Sequence, residues 1–158
     1  DIVITGDFNN DNIPDLVTVN AASQTVNTLL GNGNGQFQAP QTYNTAAIPS
    51  FVTSGDFNGD NRQDLAVTYL DGTVNIFLGN GDGTFQNPTS YTIGANPFFV
   101  ITNYFNNDVI LDLAVANSGD NNVGVLVGNG DGTFRTQVTY STGTSPIALI
   151  SGYFENDG

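Results

Sequence analysis

The apolar residues of the chain fall into short runs rich in Val, Ile, Thr and Phe, and clusters of Gly, Asn, Asp and Pro separate the runs. In the middle of the chain the runs cover Phe51–Ser54, Asp64–Tyr69, Thr73–Leu78 and, more weakly, Ser90–Ile93. Short runs bounded by turn-forming residues indicate β-strands. No apolar stripe with the 3.6-residue period of a helix continues for a useful length, so we expect almost no helix.

Turn-forming residues connect these strands. Asp71-Gly72 lies between the second and third runs and predicts a two-residue hairpin turn. Asn-Gly and Asp-Gly pairs follow the third run and supply residues that tolerate a positive φ before the fourth strand. The pattern therefore predicts an antiparallel sheet of four short strands.

The whole chain is a repeat of this pattern. The tetrad Gly6-Asp7-Phe8-Asn9 recurs, conserved in part, at 55–58, 103–106 and 152–155, in steps of 49, 48 and 49 residues. A second marker, Gly31 to Phe37, recurs at 79–85 and 128–134. We therefore expect one repeat domain over 1–158, with units 1–49, 50–97, 98–146 and a partial unit 147–158. Four strands per unit is typical of a propeller blade, so the predicted fold class is all-β: β-propeller blades of four antiparallel strands, about three blades plus the start of a fourth in this chain.

Seven of the eleven Phe residues occupy two repeat positions. Stacking platforms for sugars are one interpretation, but we expect these rings to pack between neighbouring units, because repeated units bury their faces against one another. The seven are Phe8, Phe57, Phe105, Phe154, Phe37, Phe85 and Phe134.

The segment between the first and second strands of each unit predicts a metal site. In the first two units, oxygen-bearing side chains stand at loop positions 1, 3, 5 and 9, as a calcium ion with six to eight hard oxygen ligands requires. Position 7 holds residues that could contribute only a backbone carbonyl, and Asn12 and Asn61 at position 6 can adopt a left-handed conformation. The alternative is a hairpin whose side chains only cap backbone amides. The predicted ligands are Asp7, Asn9, Asp11, Ile13 and Asp15 in the first loop, and Asp56, Asn58, Asp60, Arg62 and Asp64 in the second.

The third and fourth loops depart from this pattern. Tyr104 occupies position 1 of the third loop and Val109 occupies position 6. One carboxylate fewer predicts a site that is weak or empty. Its remaining candidate ligands are Asn106, Asp108, Ile110 through its carbonyl, and Asp112. The fourth loop begins Tyr153-x-Glu155-x-Asp157, and the sequence stops before position 9.

Composition narrows the function. The chain has a formal charge of -13 with two cations, Arg62 and Arg135, which excludes nucleic acid as a partner and disfavours anionic membrane surfaces. No apolar run approaches the length of a membrane-spanning helix, so we expect no membrane insertion. Without Cys or His, thiol nucleophiles and the usual general bases are missing. The aspartates lie in the candidate metal loops or in turns, which account for them without catalysis, so we expect that the chain is not an enzyme.

The D-x-N-x-D-x-x-x-D loop, flanked by G-D-F and D-L-A-V segments and followed by L-G-N-G-D-G-T-F, resembles the FG-GAP (VCBS) repeat of integrin α-subunit type β-propellers. The resemblance covers the whole chain. It implies an extracellular or cell-surface, calcium-stabilised propeller used for adhesion or for recognition of a protein or glycan. Such repeats also occur beside catalytic domains and in some polysaccharide lyases.

Three functions stay open from the residues. The first is a binding and adhesion module, and the second is a structural subunit of an extracellular filament or array assembled head-to-tail from further copies of the repeat. A lectin or a propeller domain attached to a carbohydrate-active enzyme is disfavoured, because Trp is absent. Closed propellers need at least about four blades. We therefore expect the chain to be a window on a longer propeller or to complete its blades with another copy. The apolar run Ile147–Ile150 is expected to be a buried strand.

Overall fold

The computed structural model describes residues 1–152 and contains twelve β-strands, with no helix among the described residues. The first sheet comprises β1 (Ile2–Gly6), β2 (Asp15–Asn20), β3 (Thr25–Leu29) and β4 (Gln41–Asn44). The second comprises β5 (Pro49–Gly55), β6 (Asp64–Tyr69), β7 (Thr73–Phe77) and β8 (Thr89–Thr92). The third comprises β9 (Pro97–Asn103), β10 (Asp112–Asn117), β11 (Asn122–Leu126) and β12 (Val138–Ser141). The predicted all-β class and the near absence of helix are confirmed.

Each sheet has its four strands antiparallel and in chain order, as in a propeller blade. The first strands of neighbouring sheets contact one another, β1 with β5 and β5 with β9, so these strands form the inner side of the assembly. At this inner side the rings of Phe51 and Phe99 lie 4.1 Å apart between centroids. The three sheets form an arc that does not close into a ring.

The hairpin between β6 and β7 differs from the prediction. Tyr69 pairs with Thr73, so the connection has three residues, 70 to 72, rather than two. The N–H of Gly72 donates to the carbonyl of Tyr69 at 3.0 Å, and Gly72 has a φ of 88°. This geometry is a turn followed by a left-handed residue, which glycine accommodates without a Cβ clash.

Two buried clusters form the core, one between the first and second sheets and one between the second and third. The ring of Phe8 meets that of Phe85 at 6.1 Å, and the ring of Phe57 meets that of Phe134 at 5.5 Å, both edge to face. Packing of the repeated Phe residues between units is therefore confirmed at these four positions.

The repeated Phe residues at the two ends of the arc behave differently. Phe37 in the first sheet is 41% exposed and Phe105 in the third is 39% exposed. The prediction of buried packing is wrong for both, because within residues 1–152 no neighbouring sheet covers these faces. Phe154 lies outside the described residues, as do Tyr153, Glu155 and Asp157 of the fourth loop.

The predicted strand Ile147–Ile150 is not formed. Residues 149–152 lie on the outer face of the third sheet, where Ser151 accepts a hydrogen bond from the Asn103 side chain at 2.9 Å. A strand needs a neighbouring strand to satisfy its backbone groups, and the segment 147–152 pairs with none among the described residues. Ile150 is 82% exposed.

Candidate functional site

The candidate metal loops are the connections between the first and second strands of each sheet. In the first loop, the Asp7 carboxylate accepts the backbone N–H groups of Asp11 (3.1 Å) and Asn12 (2.9 Å). The Asn9 side-chain oxygen also accepts from Asp11, and the Asp11 carboxylate accepts the N–H of Ile13 at 2.7 Å. Side chains at positions 1, 3 and 5 therefore turn inward onto the same short stretch of backbone.

The second loop repeats this arrangement. Asp56 accepts the N–H groups of Gly59, Asp60 and Asn61 at 2.7 to 3.2 Å. The Asn58 side chain accepts from the Asp60 N–H and donates to the Asp60 carboxylate. Asn12 and Asn61 both have a φ of 62°, so the predicted left-handed conformation at position 6 is confirmed. That conformation allows the loop to curl around its own side chains.

Position 9 has a different environment from positions 1, 3 and 5. Asp15 and Asp64 are completely buried. One oxygen of Asp15 accepts the N–H of Phe8 at 2.9 Å, and the other accepts the N–H of Gly31 at 2.8 Å. Asp64 makes the same two bonds, from Phe57 and Gly79, at 2.8 Å each. The position-9 carboxylate therefore connects its loop to the turn after the third strand of its sheet.

The acidic groups of the second loop affect one another. Burial raises the pKa of the Asp64 carboxyl to about 6, although the N–H bonds from Gly79 and Phe57 oppose the shift. The negative charges of Asp60 and Asp56 raise this pKa further. The Arg62 guanidinium lies 3.9 Å from the Asp60 carboxylate, and both side chains are partly solvated, so this ion pair is weak. A bound cation would relieve this repulsion.

The third loop keeps only part of the arrangement. Asn106 and Asp108 make the same mutual bonds as their counterparts, and Asp108 accepts the N–H of Ile110 at 2.8 Å. Asp112 is fully buried and accepts the N–H groups of Phe105 and Gly128. Position 1 contributes no carboxylate, since Tyr104 is there and is 54% exposed. Val109 is 92% exposed and, unlike Asn12 and Asn61, does not have a positive φ.

These contacts decide how well a calcium ion fits. The donors at positions 1, 3, 5 and 7 are all hard oxygens, the type that calcium prefers. Within residues 1–152 no three acidic side chains come together as a metal-holding cluster, since Asp15 and Asp64 face buried N–H groups. One oxygen of Asp56 accepts two N–H groups, whereas a carboxylate oxygen that accepts only one N–H keeps a second acceptor position. The donor set in the first two loops fits calcium, with position 9 turned partly away.

A second feature lies at the inner end of the arc. Residues from all three sheets, together with Ile147, line an open cavity of about 430 Å³ there. Ile48, Leu70 and Phe98 each expose 40 to 51% of their surface in it, and Ile147 exposes 60%. We call this cavity the inner groove. No sequence pattern indicates this groove, because the connections that meet there come from different repeat units.

Comparison with known families identifies the repeat. The family model described as FG-GAP-like repeat matches residues 7–67 and 56–102, more than half of the chain. The chain belongs to the FG-GAP-like repeat family. Repeats of this family are generally non-catalytic and are typical of extracellular proteins. The resemblance stated from the loop and strand motifs is thereby confirmed.

Other comparisons add the fold alone. A solved structure of the Photorhabdus luminescens Tc holotoxin pore is similar to this FG-GAP-like chain, with a TM-score of 0.53 and 17% identity. The match covers 88% of this chain and 7% of that chain. No curated protein matches the sequence significantly. Among residues 1–152 no helix is long and apolar enough to cross a membrane.

Proposed function

We propose that the chain is a calcium-stabilised, extracellular β-propeller repeat module that serves adhesion or ligand recognition and is not an enzyme. The observation that carries this proposal is the convergence of side-chain oxygens in two of the loops. Asp7 and Asp56 each gather the N–H groups of positions 5 and 6. The loop backbone is thus already curled around the hard oxygen donors that calcium would use.

Calcium would be held by the ligands that the repeat supplies. In the first loop these are Asp7, Asn9 and Asp11, with the Ile13 carbonyl and a free acceptor position of Asp15. The second loop offers Asp56, Asn58 and Asp60, with the Arg62 carbonyl and Asp64. The bound ion would supply positive charge that offsets the repulsion among these carboxylates. The third loop, with Asn106, Asp108, the Ile110 carbonyl and Asp112, would hold calcium weakly or not at all.

We infer that the inner groove is the surface that binds the ligand. Its exposed side chains are aliphatic and aromatic, and connections from neighbouring sheets combine to form it. An exposed apolar patch of this kind suits an apolar segment of a protein better than a glycan. Rigid sheets would hold the groove in a fixed shape, and calcium would stiffen the opposite ends of the same first strands.

Catalysis has little support among the residues. The chain contains no His and no Cys. The position-9 aspartates are engaged with backbone N–H groups, while Asp82 and Asp131 accept hydrogen bonds from Thr84 and Thr133 in exposed turns. These acidic side chains therefore have structural roles that account for them without chemistry on a substrate.

Calorimetric titration of the full chain with calcium tests the proposal. We expect two sites on the wild-type chain, one on Asp7→Ala, and one on Asp56→Ala. Asp120→Ala is the matched control, because Asp120 is a turn aspartate outside the loops and should leave two sites. A heat of binding that is unchanged in both loop variants, or absent in the wild type, would contradict the calcium proposal.

A further inference from the structure

Arg62 is the only positively charged side chain in the candidate metal loops, and Arg135 is the only other cation of the chain. It occupies position 7, where the first and third loops have Ile13 and Ile110. The first loop therefore has three carboxylates and no opposing charge, whereas the second has three carboxylates and one guanidinium. The charge of the ligands is one of the properties that set the calcium affinity of such loops.

The stem of Arg62 packs where an isoleucine packs in the other two loops. A Cβ atom placed at Gly81, in the turn after the third strand, would lie 3.0 Å from the Arg62 Cδ. The same atom placed at Gly33 in the first sheet would lie 3.4 Å from the Ile13 Cδ1, and Ile110 packs in the same way in the third sheet. The arginine thus keeps the apolar contact of the repeat and adds a charge beyond it.

The guanidinium of Arg62 lies among acidic side chains of the second sheet. It is 3.9 Å from the carboxylate of Asp60, which is the candidate ligand at position 5. Hydrogen bonds from Thr84 lower the pKa of the Asp82 carboxyl, and the charge of Arg62 lowers it further. The guanidinium therefore acts on a carboxylate that calcium would need.

We propose that Arg62 lowers the calcium affinity of the second loop below that of the first, because its guanidinium competes with the ion for Asp60. The proposal rests on calcium binding in these two loops. In the metal-free chain the guanidinium already offsets part of the repulsion among the carboxylates, so less repulsion is left for an ion to relieve. When calcium binds, Asp60 exchanges the guanidinium for the ion, and the two positive charges repel each other. Both effects favour occupation of the first loop before the second.

Solvent limits the size of this effect. The Arg62 side chain is 46% exposed and that of Asp60 is 33% exposed, and exposed ion pairs are weak. A unit charge near a divalent ion at such a site changes the affinity about fivefold at low salt. Concentrated salt screens exposed charges, so the difference in affinity between the two loops should become smaller there.

Calorimetric titration with calcium at low salt tests the proposal on the full chain, with each loop measured alone. Asp7→Ala removes the first site, so that this variant reports the second loop, and Asp56→Ala likewise reports the first. Arg62→Gln removes the charge and keeps much of the stem, whereas Arg62→Lys keeps the charge. Arg135→Gln is the matched control, because it removes the same charge from a side chain that donates to Asn129 outside the loops.

The second loop, measured in the Asp7→Ala chain, should bind calcium about fivefold more weakly than the first loop measured in the Asp56→Ala chain. Adding Arg62→Gln should raise the affinity of the second loop about fivefold, whereas Arg62→Lys and Arg135→Gln should leave it within about twofold. Ile13→Arg places the same charge in the first loop and should lower the affinity of that loop about fivefold.

The possible failures are distinguishable. Calcium binding to a second loop that Arg62→Gln leaves unchanged would overturn the role of Arg62 and leave the calcium function standing. An equal gain from Arg135→Gln would also overturn it, because the overall charge of the chain and not the position of Arg62 would then set the affinity. A wild-type chain that binds no calcium would overturn both proposals.

Discussion

The second and third loops show which part of the repeated loop the fold requires. Both bury an aspartate at position 9 that accepts two backbone N–H groups, Asp64 in one and Asp112 in the other. Only the second has a carboxylate at position 1, because Tyr104 replaces Asp56 in the third. The first two strands of the third sheet nevertheless pair in the same register as those of the second sheet. The position-9 aspartate therefore connects its loop to the sheet even where position 1 has no carboxylate.

The largest effect is expected where the two loops are alike. Asp64→Ala and Asp112→Ala each leave two backbone N–H groups without an acceptor, at least one of them buried, which costs about 3 kcal/mol. Chemical denaturation in the absence of calcium should show similar losses for both variants. A loss confined to Asp64→Ala in calcium would mean that position 9 acts mainly through the ion.

Calcium should distinguish the loops by stabilising the chain through the first and second. An ion that binds only the folded state adds about 2.7 kcal/mol at a concentration one hundred times its dissociation constant. The thermal midpoint should rise with calcium and fall with chelator. A melting curve that excess chelator leaves unchanged would contradict calcium binding in either loop.

The stability of the metal-free protein should depend on pH through Asp64 of the second loop. The pKa of Asp64 is raised to about 6 from an ordinary value of 3.8, so the folded state binds its proton more tightly than the unfolded state. The stability from this proton is present at low pH and is lost as pH rises through about 6, a change on the order of 2 kcal/mol.

Denaturation of the chelated chain between pH 4 and pH 7 measures this slope. Asp82 and Asp131 do not interfere there, because hydrogen bonds from Thr84 and Thr133 lower their pKa values and their effect falls below pH 4. With calcium the slope should reverse, since the ion binds the ionised carboxylate. Equal slopes with and without calcium would contradict ion binding at Asp64.

The smallest difference is expected between the exposed position-5 aspartates. Asp60→Ala should remove one bound calcium and cost about 1 to 2 kcal/mol in calcium, whereas Asp108→Ala should cost less than about 1 kcal/mol. Tyr104→Asp should have the opposite effect and add a third, weak site. Titration calorimetry counts the ions in each variant. A third loop as fully occupied as the second at limiting calcium would contradict this ranking.

Local residue chemistry determined the repeat, the strands of each sheet and the conformation of the loops. The spacing of Gly, Asn and Asp predicted the repeat, and β-rich runs between them predicted four strands per sheet, because strand period and positive φ are short-range properties. Asn12 and Asn61 adopt the conformation that their position in the loop requires. The three-residue turn at Gly72 was missed because its length depends on the pairing of Tyr69 with Thr73.

Only the tertiary structure decided which residues at the same repeat position share the same environment. Phe37 and Phe85 have the same place in the repeat, yet Phe85 is buried and Phe37 is exposed, because burial depends on a neighbouring sheet rather than on the residue. The structural role of Asp15 and Asp64 likewise emerged only from the fold, because N–H groups from distant turns donate to them. The sequence specifies each sheet through local patterns, while the faces between sheets are set by what lies beside them.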